Sequence, residues 1–147
     1  MTALDLPRRA SAFADQSLAL DTLARTLWGE ARGEGRHGMH AVASVILNRA
    51  ARPGWWGRSV TEVCLRPRQF SCWLAGDPNR PKLLRVQPSD AAFALALEIA
   101  ARALAGSLPD ITHGSTHYHA VEVAPSWARG RAPCVVIGRH AFYNDIP

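Results

Sequence analysis

The spacing of apolar residues changes its period once along this chain, and that single change restricts the fold more than any other feature. Up to Ala105 the spacing is helical. Leu20, Leu23, Ala24 and Leu27 follow the i, i+3, i+4, i+7 pattern of one amphipathic helix, with Asp15 or Ser17 as its expected N-cap and an end between Gly29 and Gly33. Met39, Val42, Ala43, Ile46 and Ala50 mark a second, largely buried helix over 38–51, closed by Pro53. Residues 59–62 form a capping box, Ser59 with Glu62, that opens a short helix ending by Leu65 or Arg66. The Ala- and Leu-rich run 89–105, capped by Ser89 or Asp90 and stopped by Gly106, is apolar almost all round and reads as a central core helix. From Ile111 onward β-branched and aromatic residues take over, in 116–121 and 135–138, separated by Pro125 and Pro133. The fold class is therefore α+β, helices first and a small antiparallel sheet near the C-terminus.

Between the two helical regions lies a Pro- and Gly-rich centre, 52–88, which carries Trp55, Trp56, Phe70 and Trp73 and is too aromatic to be a linker. With 147 residues, 48% of them hydrophobic, the chain is long enough for one real core. The most apolar run still holds Glu98 and Arg102, so a membrane-spanning helix is excluded and no membrane insertion is expected. The first twenty residues carry Asp5, Arg8, Arg9 and Asp15 and do not read as a secretory signal. The net charge of +5 favours polyanionic partners in general, whether nucleic acid, anionic lipid or acidic envelope polymers, without choosing among them. Cys64, Cys72 and Cys134 are an odd number without a CxxC pair, so neither a disulfide framework nor a thiolate zinc site is expected.

Three clusters carry chemistry. Glu30 stands three residues after Leu27 and seven after Leu23, on the buried face of the first helix at its C-terminal end. Desolvation and the helix dipole both raise the pKa of such a carboxyl group, as a general acid working near neutral pH requires. The alternative is an ion pair with Arg32, Arg49 or another arginine. The second cluster is His113, His117 and His119, which share strand parity with Ser115 and suit a zinc site, a polar cleft lining, or satisfied core histidines. The third joins Gln69, Phe70 and Trp73 with Trp55 and Trp56, rings and an amide of the kind that line carbohydrate clefts, or that plug an irregular core. Ser71 and Cys72 lie in no motif that would activate a nucleophile.

Taken together, residues 23–34, 41–49, 69–73, Thr116 to His119 with Pro125 and Trp127, and 137–143 resemble, in the same order, the bacterial cell wall hydrolase family whose best-known members are the spore-cortex-lytic enzymes. The resemblance implies a lysozyme-like catalytic domain over 20–147 behind an N-terminal extension, 1–19. It implies a peptidoglycan lytic transglycosylase, with Glu30 as the catalytic acid and Glu34, Gln69, Phe70, Thr116, His117, Tyr118 and His119 around the substrate. On this reading a monomer acts on peptidoglycan glycan strands, with no cofactor, no metal and no nucleic acid. Glu34 or Glu122 would be the partner carboxylate if water rather than the muramoyl hydroxyl attacks. Made in the cytoplasm, the protein would reach the periplasmic or extracellular wall by holin-type or other delivery, as a phage or prophage endolysin does. Two rival readings are a zinc-dependent N-acetylmuramoyl-L-alanine amidase built on His113, His117 and His119, and a non-catalytic wall- or nucleic-acid-binding module.

Overall fold

The computed structural model describes residues 5–147, with side chains from Arg9 on. Five helices precede a three-stranded sheet: α1 (Asp5–Ala31), α2 (Gly35–Ala51), α3 (Val60–Leu65), α4 (Asn79–Arg85) and α5 (Ala91–Leu104), then β1 (His117–Ala120), β2 (Val135–Ile137) and β3 (His140–Tyr143). The sheet order is β1-β3-β2, antiparallel throughout, with Tyr118 opposite Phe142 and Val135 also opposite Phe142 across β3. Expectation and structure agree on the α+β class, on α2, and on α3 with Ser59 accepting from the Glu62 amide.

Two expectations need correction, and two elements were not foreseen. The first helix does not start at Asp15 or Ser17 but at Asp5, because Pro7 falls in its first turn, where no intrahelical N–H bond is lost, and residues 8–19 hold neither glycine nor proline. Its side chains from Arg9 to Leu18 are exposed, burial starts near Ala19, and the helix crosses from residue 19 to residue 20 without interruption; residues 1–4 of the extension lie outside the described residues. The central helix is α2, not α5. Nine α2 residues are buried, from Gly38 to Arg49, whereas α5 buries only Phe93, Ala96, Ile99, Ala100 and Ala103 and turns Glu98 and Arg102 to solvent. Two elements, α4 and β3, carry no clear periodic signal of their own: α4 holds prolines and charges, and β3 has four residues.

The core is a helical cluster, in which Leu23, Leu27, Met39, Val42, Ile46, Val63, Leu83, Phe93 and Ile99 are essentially inaccessible. Each large apolar side chain buried there contributes about 1.5–3 kcal/mol. A smaller cluster joins Ala41 and Val45 of α2 to Ile137 and Phe142 of the sheet, so one sheet face packs on the central helix. Asp90 caps α5 by accepting from the Phe93 amide (2.9 Å) and also accepts from the Trp28 indole (3.2 Å), which ties the start of α5 to α1 near Glu30.

Candidate active site

Glu30 is the penultimate residue of α1. The helix period that buries Leu23 and Leu27 carries Glu30 inward, into a ring of polar groups from three other segments. The Tyr118 hydroxyl, brought by β1, donates to Glu30 Oε2 at 3.4 Å. The Cys72 thiol, from a short 3-10 turn at Ser71–Trp73, packs against the neighbouring Gly29, where an added Cβ would stand 2.8 Å from Sγ. Burial pushes the Glu30 carboxyl above its ordinary pKa, the Cys72 thiol and then the Tyr118 hydroxyl pull it down, and the negative charge of Asp77 pushes it up again, with burial winning. Tyr118 is itself held neutral, by burial first and then by the charge of Glu30. Among the described residues Glu30 takes part in no ion pair. Arg32 instead lies over the Trp28 ring, 4.2 Å from its centroid, and donates to Asn79 at 2.7 Å.

Arg49 is buried at 6% exposure, with no carboxylate partner among the described residues. Its Nε donates to the Thr116 carbonyl at 2.8 Å, and its guanidinium lies 5.6 Å from the Trp56 ring and 5.7 Å from the Phe70 ring. Nη1 has no partner. The arginine thus pins the start of β1 to α2 and stacks the two aromatics of the centre behind Tyr118. Phe70 is buried, Gln69 half-buried, and Thr116 buried with its hydroxyl 3.0 Å from His117 Nδ1.

Strand geometry divides the remaining expected site residues. Because side chains alternate along β1, Tyr118 shares the inner face with Phe142 and His140, while His117 and His119 share the outer face with Tyr143. His119 donates from Nδ1 to the Ala120 carbonyl (2.7 Å), and its Nε2 accepts from the Tyr143 hydroxyl (2.8 Å). His117 stands between Trp56 and Trp127, at ring distances of 6.2 and 5.2 Å. Burial, and then the Arg49 charge, push its pKa down to about 4. Glu34 is turned to the β2–β3 turn, where Oε2 accepts from the Arg139 amide at 3.3 Å; a Cβ on Gly138 would come within 2.6 Å of that oxygen. Glu122 is exposed and faces Arg139 at 3.7 Å.

His113 sits apart in a left-handed turn (φ 55°) organised by Asp110, whose carboxylate accepts from Thr112, Gly114 and Asn48. The three-histidine zinc arrangement therefore does not form: one member is in a different turn and both nitrogens of another are bonded within the protein. Among the described residues no group of three His, Cys, Asp or Glu side chains is placed to hold a metal ion. Sequence reasoning did not assign Arg49, Cys72 or Asp77 to the site. The burial of Arg49 was foreshadowed by its place in the helical pattern of α2, three residues after Ile46, but nothing local marks Asp77.

Glu30 thus stands half-buried at a helix end and faces the small sheet through Tyr118. Residues 33–143 match the model of the cell wall hydrolase family, and the chain belongs to that family. It is 32% identical over 133 residues to a spore cortex-lytic enzyme of Halalkalibacterium halodurans, a match covering 90% of this chain and 36% of the relative. The corresponding figures for the spore cortex-lytic enzyme of Bacillus subtilis are 33% over 121 residues, covering 82% and 35%. The chain thus spans about a third of the length of the curated relatives it matches. Among solved structures, the catalytic domain of the germination-specific lytic transglycosylase SleB from Bacillus anthracis superimposes with a TM-score of 0.67 at 27% identity, over 86% of this chain and 93% of that one. The catalytic domain of the Bacillus cereus SleB protein gives 0.65 at 26%, over 86% and 90%. The helices-then-sheet architecture is the lysozyme-like one.

Proposed function

We propose that this protein degrades peptidoglycan by cleaving the glycan strand between N-acetylmuramic acid and N-acetylglucosamine, as a lytic transglycosylase with Glu30 as its single catalytic carboxyl group. The observation that carries the reading is the environment of Glu30: a half-buried carboxyl group with raised pKa, in no ion pair among the described residues and bonded to a neutral tyrosine. In the reaction the protonated Glu30 donates to the glycosidic oxygen as that bond breaks. The resulting carboxylate then takes the proton of the muramoyl 6-hydroxyl as that oxygen closes onto the anomeric carbon, which returns Glu30 to its starting state and forms the 1,6-anhydro product. One carboxyl group does both jobs. The engagement of Glu34 with the Arg139 amide and of Glu122 with Arg139 supports a mechanism that needs neither of them. The relatives named as lytic enzymes and the solved lytic transglycosylase domain support the substrate class.

The test is mass spectrometry of the soluble products after purified sacculi meet the wild-type protein, Glu30→Gln and Glu34→Gln, with and without chelator. Anhydro-muropeptides are expected from the wild type and from Glu34→Gln, with a loss of about 10²–10⁴-fold for Glu30→Gln. Reducing muramic acid ends would mean attack by water. Free peptide stems, abolished by chelator, would overturn the reading in favour of an amidase.

A further inference from the structure

Histidines of this fold differ in what holds them. His40 Nε2 lies 2.7 Å from the Pro109 carbonyl, His117 Nδ1 3.0 Å from the Thr116 hydroxyl, and His119 is bonded through both nitrogens. His140, the first residue of β3, has no such bond among the described residues. Its Nδ1 is shut off from solvent without a partner, although the residue as a whole is only half-buried, and Nε2 is not shut off in this way. The ring stands on the inner face of the sheet beside Tyr118, edge-on with centroids 5.1 Å apart, and its partner across β1 is Ala120, a methyl group that fills little space. Two anchors of the site bracket it. Tyr118 bonds Glu30 on one side, and on the other the Glu34 carboxylate accepts from the Arg139 amide at the turn that leads into β3.

A neutral imidazole carries one N–H donor and one bare nitrogen. Buried N–H groups without a partner are rarer than buried acceptors without one, so the shielded Nδ1 is the bare nitrogen and the proton sits on Nε2. A second proton would have to enter at Nδ1. Burial accordingly lowers the His140 pKa, against the charges of Glu34 and Glu122 and together with those of Arg139 and His119. We propose that His140 is a substrate-binding residue: its Nε2–H donates to an uncharged oxygen of the glycan, a hydroxyl or an acetamido carbonyl, on a sugar held beside the Glu30 carboxyl group. The proposal rests on the reading of the protein as a glycan-cleaving enzyme. The peptide stem is the less suited partner, since a stem carboxylate reaching this end of the sheet would meet Glu34, while the Arg139 guanidinium is turned to Glu122 at 3.7 Å. A neutral donor away from the reacting atoms binds ground state and transition state alike, so its loss raises KM and leaves kcat nearly unchanged.

The experiment observes the imidazole nitrogens of the full chain by long-range proton–nitrogen NMR near neutral pH, the His140 pair being assigned by its loss in His140→Phe. The Nε2–H form is expected. Peptide-free glycan strands are then added in the Glu30→Gln background, which keeps the probe intact, and the free stem peptide is added separately. The glycan is expected to shift His140 Nε2 and the stem peptide to leave it unmoved. His140→Phe keeps a ring against Tyr118 and Phe142 and removes both nitrogens. Its KM for soluble glycan strands is expected to rise about three- to tenfold, the worth of one neutral hydrogen bond, with kcat within about twofold and no loss in the thermal melt. His140→Gln brings an amide N–H near the Nε2 position and is expected to keep most of the affinity. A proton on Nδ1, an unchanged KM in His140→Phe, an equal loss in both variants, or a shift from the stem peptide alone would each overturn the proposal. Cleavage retained by Glu30→Gln would instead overturn the reading of the acid, and the Nε2 shift on adding glycan would still decide whether His140 touches the strand.

Discussion

Tyr118 and its neighbours His117 and His119 leave one short strand in opposite directions and meet different surroundings. Inward, the Tyr118 ring stacks on Phe142 at 5.5 Å and its hydroxyl reaches Glu30. Outward, His119 bridges the Ala120 carbonyl and the Tyr143 hydroxyl, and Trp127 packs edge-on against His117, His119 and Tyr143. The inner face thus turns one hydroxyl donor to Glu30. The outer face bonds its polar atoms within the sheet and its edges, and the loop comes against it through the Trp127 ring. Three adjacent polar residues that look like one site in the sequence are divided between the Glu30 side and the Trp127 side of the strand by a period of two.

The sharpest way to break this division is to compare Tyr118→Phe with His119→Ala. Tyr118→Phe keeps the ring and removes the hydroxyl. Turnover on sacculi is expected to fall about ten- to a hundredfold, with the melting temperature nearly unchanged and the alkaline limb moved up, since a donor to the carboxylate is lost. His119→Ala should do the reverse. Losing both bonds of the imidazole leaves the Tyr143 hydroxyl without its acceptor and costs about 1–3 kcal/mol of stability, while turnover per folded molecule falls less than for Tyr118→Phe. If His119→Ala lost turnover as steeply as Tyr118→Phe at an unchanged melting temperature, the outer face would lie in the substrate's path and the division would fail.

A smaller effect tests how the helix end accommodates its neighbours. In an exposed helix interior, Gly→Ala is a gain of about 1 kcal/mol. At Gly29 the new Cβ would lie 2.8 Å from Cys72 Sγ, 2.9 Å from Cys72 Cβ and 3.2 Å from Leu83 Cδ2. Those atoms belong to a turn that the Trp73 indole pins to Thr26 of α1 (2.9 Å) and to a fully buried leucine, so neither yields cheaply, and overpacking of this kind costs about 1–3 kcal/mol. The expected sum for Gly29→Ala is a net loss of about 1 kcal/mol by denaturant melts, with a fall in turnover because the displaced side chain is the one beside Glu30. A stabilised, fully active variant would show that the Ser71–Trp73 turn is free to move.

What could be read without coordinates was whatever a local period encodes. Glu30 was placed correctly on the buried face because Leu23 and Leu27 set the phase of its helix, and α3 was placed because Ser59 and Glu62 form a complete cap. The beginning of α1 was not legible, since an Ala-rich stretch extends a helix without needing a cap residue to announce it. The rank of α5 was misjudged because small apolar residues such as Ala94 and Ala101 are tolerated on an exposed face. The site's remaining members are contacts between segments distant in sequence. The charge of Asp77 acts on Glu30 from 47 positions away, Tyr118 bonds it from 88, and no spacing rule links residues brought near one another only by packing.

The smallest effect comes from His117. Its pKa is about 4 in the folded protein against an ordinary 6.5, because burial between two tryptophans and the nearby Arg49 both disfavour the imidazolium. The unfolded chain therefore binds a proton at this position that the folded chain refuses. Linkage then fixes the sign: above about 6.5 the histidine is neutral in both states and has no effect on the pH dependence, and as the pH falls from there toward 4 the unfolded state gains and stability drops. Partial exposure to solvent screens the effect, so the expected readout is a shallow slope of melting temperature with pH across that window. His117→Gln should flatten the slope, because an amide can occupy the same gap without titrating, whereas Tyr118→Phe, on the other face of the strand, should leave it as it is. A slope that survives His117→Gln would assign the acid sensitivity to another group, of which half-buried His140, whose pKa burial also lowers, is the nearest candidate on the sheet.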